Sequence, residues 1–365
     1  MKITEVKFDC RHFQGHLPCR PHKETGVICS DCSAYEPIRS RILIIKLGAM
    51  GDVIRTTPLL VRLRQKYPES QIHWITHTPD ILPQGSIDRI YQWDATALHI
   101  IKALSFDIAI NLDKDIEACI LLRQVKAQRK YGFIEHEGHV WPLSPASEHK
   151  ILTGLFDPIS KANTRHYVAE TFDICGFEFQ DEPYLLDVDE QLLSKWQHRY
   201  QEEGPPPYIG LNTGCGVRWP TRLWPESYWI ELIQKMQADG MTPVLLGGPD
   251  EAPRNQRLHQ ITGAFYPGTF PLNEFIAMIA ATDVVVTAVT MAMHLALGTR
   301  RRIVLFNNIF NRSEFYLYGR GEIVEPDSGC DCYYGQVCRR DRHCMYDLTV
   351  DKVWDALQRV LAISA

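Results

Sequence analysis

A carboxylate, Asp52, directly follows the turn Gly48-Ala49-Met50-Gly51, and that turn follows the uninterrupted apolar run Ile42–Ile45. A short β-branched run of this kind reads as a strand buried on both faces. From Val53 to Lys66 the apolar spacing is helical, so Asp52 is expected where a strand hands over to a helix. Such a junction offers backbone N–H groups at the carboxyl edge of a parallel sheet, where open α/β proteins bind ligands. The spacing is not the G-x-G-x-x-G of dinucleotide binders. An acid in place of the last glycine would repel a pyrophosphate, so the turn suits a carboxylate acting on a neutral hydroxyl. That is general-base chemistry. The plain alternative for Asp52 is a helix N-cap.

Cysteine carries the second chemical signal. Of eleven cysteines, eight fall in two clusters: Cys10, Cys19, Cys29 and Cys32 before the first strand, and Cys330, Cys332, Cys338 and Cys344 after the last one. Cys29-Ser30-Asp31-Cys32 is a C-x₂-C pair, and four thiolates make a structural tetrahedral zinc site or an iron site. Zinc is the favoured metal, with His12, His16, His22 and His343 as substitute ligands. Cys119, Cys175 and Cys215 stand alone and read as buried, inert thiols.

The elements that must position these groups are two α/β sets. In the first, Ile42–Ile45, Gln71–Thr76 and Phe106–Asn111 are strand candidates; in the second, Tyr208–Asn212, Pro243–Leu246, Val284–Thr287 and Ile303–Phe306. A charged helix over Gln191–Glu203 ends at Gly204-Pro205-Pro206-Pro207, read as the interdomain linker because consecutive prolines cannot continue a helix. The final stretch, Leu348–Ile363, is an amphipathic helix. The expected division is a cysteine-rich extension over 1–40, α/β domains over 41–203 and 204–329, and a cysteine cluster with its helix over 330–365.

With 365 residues, 45% hydrophobic content and a net charge of −5, the chain reads as globular and not as a nucleic-acid partner. No apolar run approaches a bilayer span, and the N-terminus has no apolar signal core, so a cytoplasmic protein is expected.

Lys46-Leu47-Gly48-Ala49-Met50-Gly51-Asp52-Val53, followed by Thr56-Thr57-Pro58, resembles the opening motif of the bacterial heptosyltransferases, glycosyltransferase family nine. The resemblance runs over roughly residues 40 to 360. It implies a GT-B fold, α/β with two Rossmann-like parallel-sheet domains, acceptor on the first and donor on the second, and a last helix crossing back to the first. It also implies an inverting transfer of heptose from ADP-heptose, without a catalytic metal, to lipopolysaccharide core or another glycan, lipid or protein hydroxyl. Peripheral contact with the inner membrane face would follow from a lipid acceptor.

Residue by residue, the resemblance makes Asp52 the base and puts Lys46, Gly51 and Arg55 on the acceptor side. Arg222-Leu223-Trp224-Pro225 fits the family's basic residue before Trp-Pro, so Arg222 is expected on the leaving diphosphate, with Arg218 in a competing register. Thr213 and Gly214 precede it in the same loop. Gly248 and Glu251, after the strand Pro243–Leu246, are expected near the nucleoside, where Asp250 is an equal candidate. Thr290, Met291, Ala292 and His294 match the helix start that faces the donor phosphates. There the chain departs from the family's usual Asp-Thr-Gly and reads Val289-Thr290-Met291. The four C-terminal cysteines resemble a cluster near the end of many members, some of which bind iron. Two other readings stay open at this point: a GT-B nucleotide-sugar epimerase, and a metal or iron–sulfur cysteine-cluster protein that transfers nothing.

Overall fold

Ile42–Ile45 end the first strand, β1 (Ser40–Ile45), and none of these four side chains is exposed. The computed structural model describes residues 1–216 and 220–363. The chain forms two compact units. The first holds Met1–Leu152 and Val168–Pro183; the second holds Thr153–Tyr167 and the chain from Tyr184 onward.

In the first unit, β1 is joined by β2 (Ser70–Thr76), β3 (Arg89–Gln92), β4 (Ser105–Asn111), β5 (Lys126–His136) and β6 (His139–Pro142). The spatial order is β3-β2-β1-β4-β5-β6, parallel except for the antiparallel β5–β6 pair. Leu43 and Ile45 on one face meet Ala118, Leu121 and Leu122 of the helix Ile116–Gln124. Coverage by helices explains why the strand is apolar at every position from Ile42 to Ile45.

The second unit has β7 (Tyr208–Asn212), β8 (Thr242–Leu246), β9 (Val284–Ala288), β10 (Arg302–Phe306) and β11 (Gly321–Val324). All are parallel, in the order β11-β10-β9-β7-β8. No helix among the described residues is long and apolar enough to cross a membrane.

Four sequence expectations are corrected. The helix over Val53–Lys66 is two helices, Met50–Ile54 and Pro58–Lys66, because Pro58 has no N–H to continue the first and is favoured at the start of the second. The proline run at 205–207 is not the boundary: the helix Glu190–Glu203 before it and β7 after it belong to the same unit. The final helix, Val350–Leu361, belongs to the second unit and not the first, because Val353, Leu357 and Val360 are part of the second unit's core. Residues 1–40 are not separate from the first α/β domain. Arg11 reaches Asp88 at 3.2 Å and the Ser70 carbonyl at 3.0 Å, tying the cysteine-rich segment to the sheet.

Candidate active site

In the first unit the strand order reverses between β1 and β4, and the loops leaving their carboxyl ends meet there. Asp113, two residues beyond β4, accepts from the backbone N–H groups of Leu47 and Gly48, the latter at 3.0 Å. It also pairs with Lys46 Nζ at 2.6 Å, both side chains being buried. Asn111 fixes Asp113 from both sides: Nδ2 donates to its carbonyl and Oδ1 accepts from its N–H, each at 3.0 Å. The glycine turn is therefore clamped by a buried ion pair and two backbone amides.

Asp52 stands on this clamped turn. It is the third residue of the helix Met50–Ile54, whose N-cap is Ala49, so the N-cap alternative does not hold. Its carboxylate is partly exposed and lies 2.7 Å from Arg55 Nη2. A β-carbon added to Gly48 would sit 3.4 Å from Asp52 Cβ, 3.4 Å from Asp113 Oδ1 and 3.2 Å from Lys46 Nζ. A side chain at Gly48 would thus press on both the buried pair and Asp52. Gly51 is buried in the same turn. Lys46, expected on the acceptor side, is turned inward onto Asp113.

The second unit reverses its strand order between β7 and β9. Arg222 spans that point: its guanidinium donates to the carbonyls of Cys215, after β7, and Val289, after β9. It is buried and lies over the Phe310 ring, 5.3 Å from the centroid. Burial presses its pKa down to about 10, which leaves it charged at neutral pH. Among the described residues no carboxylate forms an ion pair with it, and Nε has no hydrogen-bond partner. Arg218 lies outside the described residues.

Around this arginine the other donor candidates converge. Asn212 Nδ2 donates to Thr287 Oγ1 at 3.0 Å and Thr290 Oγ1 at 3.3 Å, joining the two loops. Thr290 is the N-cap of the helix Met291–Gly298 and makes no side-chain cap, so the first-turn amides, those of Met291 and Ala292 among them, face the loop end uncapped. His294, one turn on, is buried and stacked on Tyr184 at 6.1 Å.

Glu251 accepts from the Gly248 N–H at 2.9 Å and packs against Gly214 so closely that a β-carbon there would collide with its carboxylate. Asp250 is exposed to solvent, which separates two acids that the sequence left equal. Thr213 Oγ1 donates to Asn255 Oδ1 at 2.6 Å, and the Thr213 carbonyl accepts from Arg254 at 2.8 Å. A cavity of about 430 Å³ opens here, lined by Gly214, Cys215, Glu251, Arg254 and Arg257. It offers cations beside a glycine loop.

The isolated cysteines behave as expected. Cys119, Cys175 and Cys215 are buried, and burial raises each thiol's pKa, that of Cys119 to about 12. The N-terminal four, Cys10, Cys19, Cys29 and Cys32, line one small cavity with His12 and Phe13. At the C-terminal end the Cys330 thiol hydrogen-bonds Cys344, which holds the Cys344 pKa below the usual thiol range. Backbone N–H groups of Cys332 and Arg339 point at the sulfurs of Cys330 (3.4 Å) and Cys332 (3.3 Å); Cys338 is half-buried. Among the described residues no three His, Cys, Asp or Glu side chains are drawn together tightly enough to hold an ion.

Asp113, Asn111, Arg254 and Asn255 were not singled out from sequence. Asp113 could have been found from its place two residues past a strand candidate, given the strand order. Asn307 and Asn308, after β10, are framework groups: Asn307 bonds Glu325 at 2.7 Å, and Asn308 bonds the Thr221 carbonyl at 2.8 Å.

Comparison with known proteins agrees with this fold. A family model described as glycosyltransferase family 9 (heptosyltransferase) matches residues 97–309, more than half of the chain. Lipopolysaccharide heptosyltransferase 1 of Pseudomonas aeruginosa is 22% identical over 223 residues, covering 54% of this chain and 58% of its own length. The chain therefore spans less than two thirds of that relative. The crystal structure of a family 9 glycosyl transferase from Veillonella parvula superposes with a TM-score of 0.70 at 20% identity, over 90% of this chain and 99% of its own. The iron-containing dodecameric heptosyltransferase TibC of enterotoxigenic E. coli, in complex with ADP-D-β-D-heptose, gives 0.54 at 17% identity, over 89% and 77%. These solved structures share the two parallel-sheet α/β domains.

Proposed function

Because the chain belongs to glycosyltransferase family 9, we propose that it transfers heptose from ADP-heptose to a hydroxyl acceptor, lipopolysaccharide core by default, with inversion at the anomeric carbon. Asp52 takes the proton of the acceptor hydroxyl. The oxygen attacks the anomeric carbon from the face opposite the diphosphate, and the bonding pair of the breaking C–O bond leaves with the diphosphate. Arg222, Arg254 and the first-turn amides of the helix Met291–Gly298 meet the charge that develops there. Glu251 takes the ribose hydroxyls. No metal enters the reaction.

One observation carries this reading: Arg222 is a buried guanidinium at the β7/β9 switch point with only carbonyl partners among the described residues. A buried cation without an anion is costly, and a diphosphate supplies two phosphate groups to a planar fork. The direct test incubates the protein with ADP-, UDP-, GDP- and dTDP-sugars and lipopolysaccharide acceptors truncated in the core, then follows nucleoside diphosphate release. Release from ADP-heptose that depends on acceptor is expected. Turnover confined to another donor would move the assignment. The nucleotide sugar places the reaction in the cytoplasm, with a lipid acceptor reached at the inner membrane face.

The cysteine clusters are proposed as structural metal sites, zinc before iron. Among residues 1–39 Cys10 is the one buried side chain, so that segment has almost no core of its own. A metal would draw its four thiols together across the cavity they line. In the other cluster, N–H groups aimed at sulfur suit thiolate ligands. Elemental analysis of untagged protein decides; TibC's iron makes iron the second metal to assay.

A further inference from the structure

Thr221 and Arg222 are held from outside their own loop, by the cysteine-rich segment directly at Gly335 and through Asn308 and Phe310, which that segment contacts. Thr221 Oγ1 donates to the Gly335 carbonyl at 3.0 Å, while its carbonyl accepts from Asn308 Nδ2 at 2.8 Å. The same Nδ2 lies 3.5 Å from Cys344 Sγ, so one amide group bridges the Arg222 loop and a clustered cysteine. Phe310, the ring beneath the Arg222 guanidinium, is packed edge-on by Tyr334 at 5.0 Å. The Tyr334 N–H donates to the Ile309 carbonyl at 3.0 Å. Trp224 Nε1 donates to the Leu348 carbonyl at 2.8 Å, just beyond the cysteines. Thr221, Arg222, Trp224 and Cys344 are all buried.

We propose that the cysteine loop 330–344 is a brace for Arg222, and that Asn308 and Cys344 are positioning residues for nucleoside diphosphate binding. This rests on the reading that Arg222 meets the diphosphate. A guanidinium held only by two carbonyls and a ring face takes its direction from the walls around it. Arg222 gains its fork geometry toward phosphate only while Thr221 and Phe310 stay in place, and both are fixed by this loop. A small displacement of a positioned group lowers binding and rate far more than the distance moved would suggest. The cysteine cluster therefore acts on donor affinity as well as on the stability of the chain end.

The test is a double-mutant cycle read by calorimetric titration with ADP. Asn308→Ala and Cys344→Ser should each weaken ADP binding by about tenfold, a loss of order 1.4 kcal/mol. Arg222→Ala should weaken it further, and Arg222→Ala/Asn308→Ala should bind no worse than Arg222→Ala alone, since the brace acts through the arginine. Thermal unfolding of each variant shows that it is folded; Asn308→Ala carries the test if Cys344→Ser does not fold. Native ADP affinity in Asn308→Ala, or losses that simply add in the double variant, would overturn the brace while leaving Arg222 as a phosphate ligand. Native affinity in Arg222→Ala would overturn both.

Discussion

Lys46 and Asp113, 67 residues apart in sequence, form a buried ion pair at 2.6 Å directly behind the turn that carries Asp52. The pair is built by topology: β1 and β4 are sheet neighbours, so the residue after one strand meets the residue beyond the other. Asp113 spends its remaining acceptor capacity on the amides of Leu47 and Gly48. Its charge is thereby converted into the geometry of the turn.

Removing one member of this pair leaves a buried charge without its partner. Asp113→Leu is expected to destabilise the first unit by about 3 kcal/mol or more, the usual cost of breaking a buried pair. Lys46→Met combined with Asp113→Leu should recover much of that stability but little of the turnover, because the amides of Leu47 and Gly48 still lack their acceptor. Urea unfolding beside steady-state kinetics separates the two effects. Full turnover in the double variant would show that the clamp serves folding alone.

Asp52 offers a sharper test now that Ala49 occupies the cap position. Asp52→Asn should leave folding and ADP affinity nearly unchanged and lower turnover by roughly a hundredfold or more, as expected for a lost general base. Transfer at close to the native rate would leave the base unassigned.

What could be read from the sequence was what lies close together in it. Seven of the eleven strands among the described residues show as apolar runs because they are covered on both faces. β5 was missed because Lys126, Gln128, Arg129 and Lys130 break any apolar pattern, and β3, β6 and β11 because these edge strands are short. The domain boundary was misread for a physical reason. The proline run is a conspicuous breaker, but the chain crosses between units at Leu152–Thr153 inside the helix Pro145–Leu155, at Tyr167–Val168 and finally at Pro183–Tyr184, all before the prolines. As candidates, Asp52 and Arg222 stand out from local motifs. Asp113, Arg254 and Asn308 do not, since each acts through a loop that only the strand order brings near.

Gly214 allows a test of the nucleoside side of the site. Its missing β-carbon is what lets the Glu251 carboxylate approach the loop after β7. Gly214→Ala should force that carboxylate away, weakening ADP binding by about tenfold and costing about 1–3 kcal/mol of stability from overpacking. Glu251→Ala in the same background should restore the stability and not the binding. If Gly214→Ala alone binds ADP normally, Glu251 is a packing group and not a ribose ligand.

His73 gives the pH dependence its sign. It lies buried on β2, with Nδ1 3.1 Å from the Tyr91 hydroxyl and Nε2 3.0 Å from Gln71 Oε1, an arrangement that suits the neutral ring. Burial, reinforced by Arg89 and Arg41, depresses its pKa from 6.5 to about 4. Between those values the unfolded chain binds more protons than the folded one, so stability falls as pH falls. The contribution is complete above about pH 6.5, is lost progressively down to about pH 4, and amounts to roughly 3 kcal/mol. His73→Gln keeps a neutral amide able to bond Tyr91 and Gln71 but cannot take up the proton. Urea midpoints measured at about pH 7.5 and about pH 4.5 should therefore drop further for the native protein than for the variant. An equal drop in both would mean that His73 titrates normally in the folded state and that other groups set the acid limit.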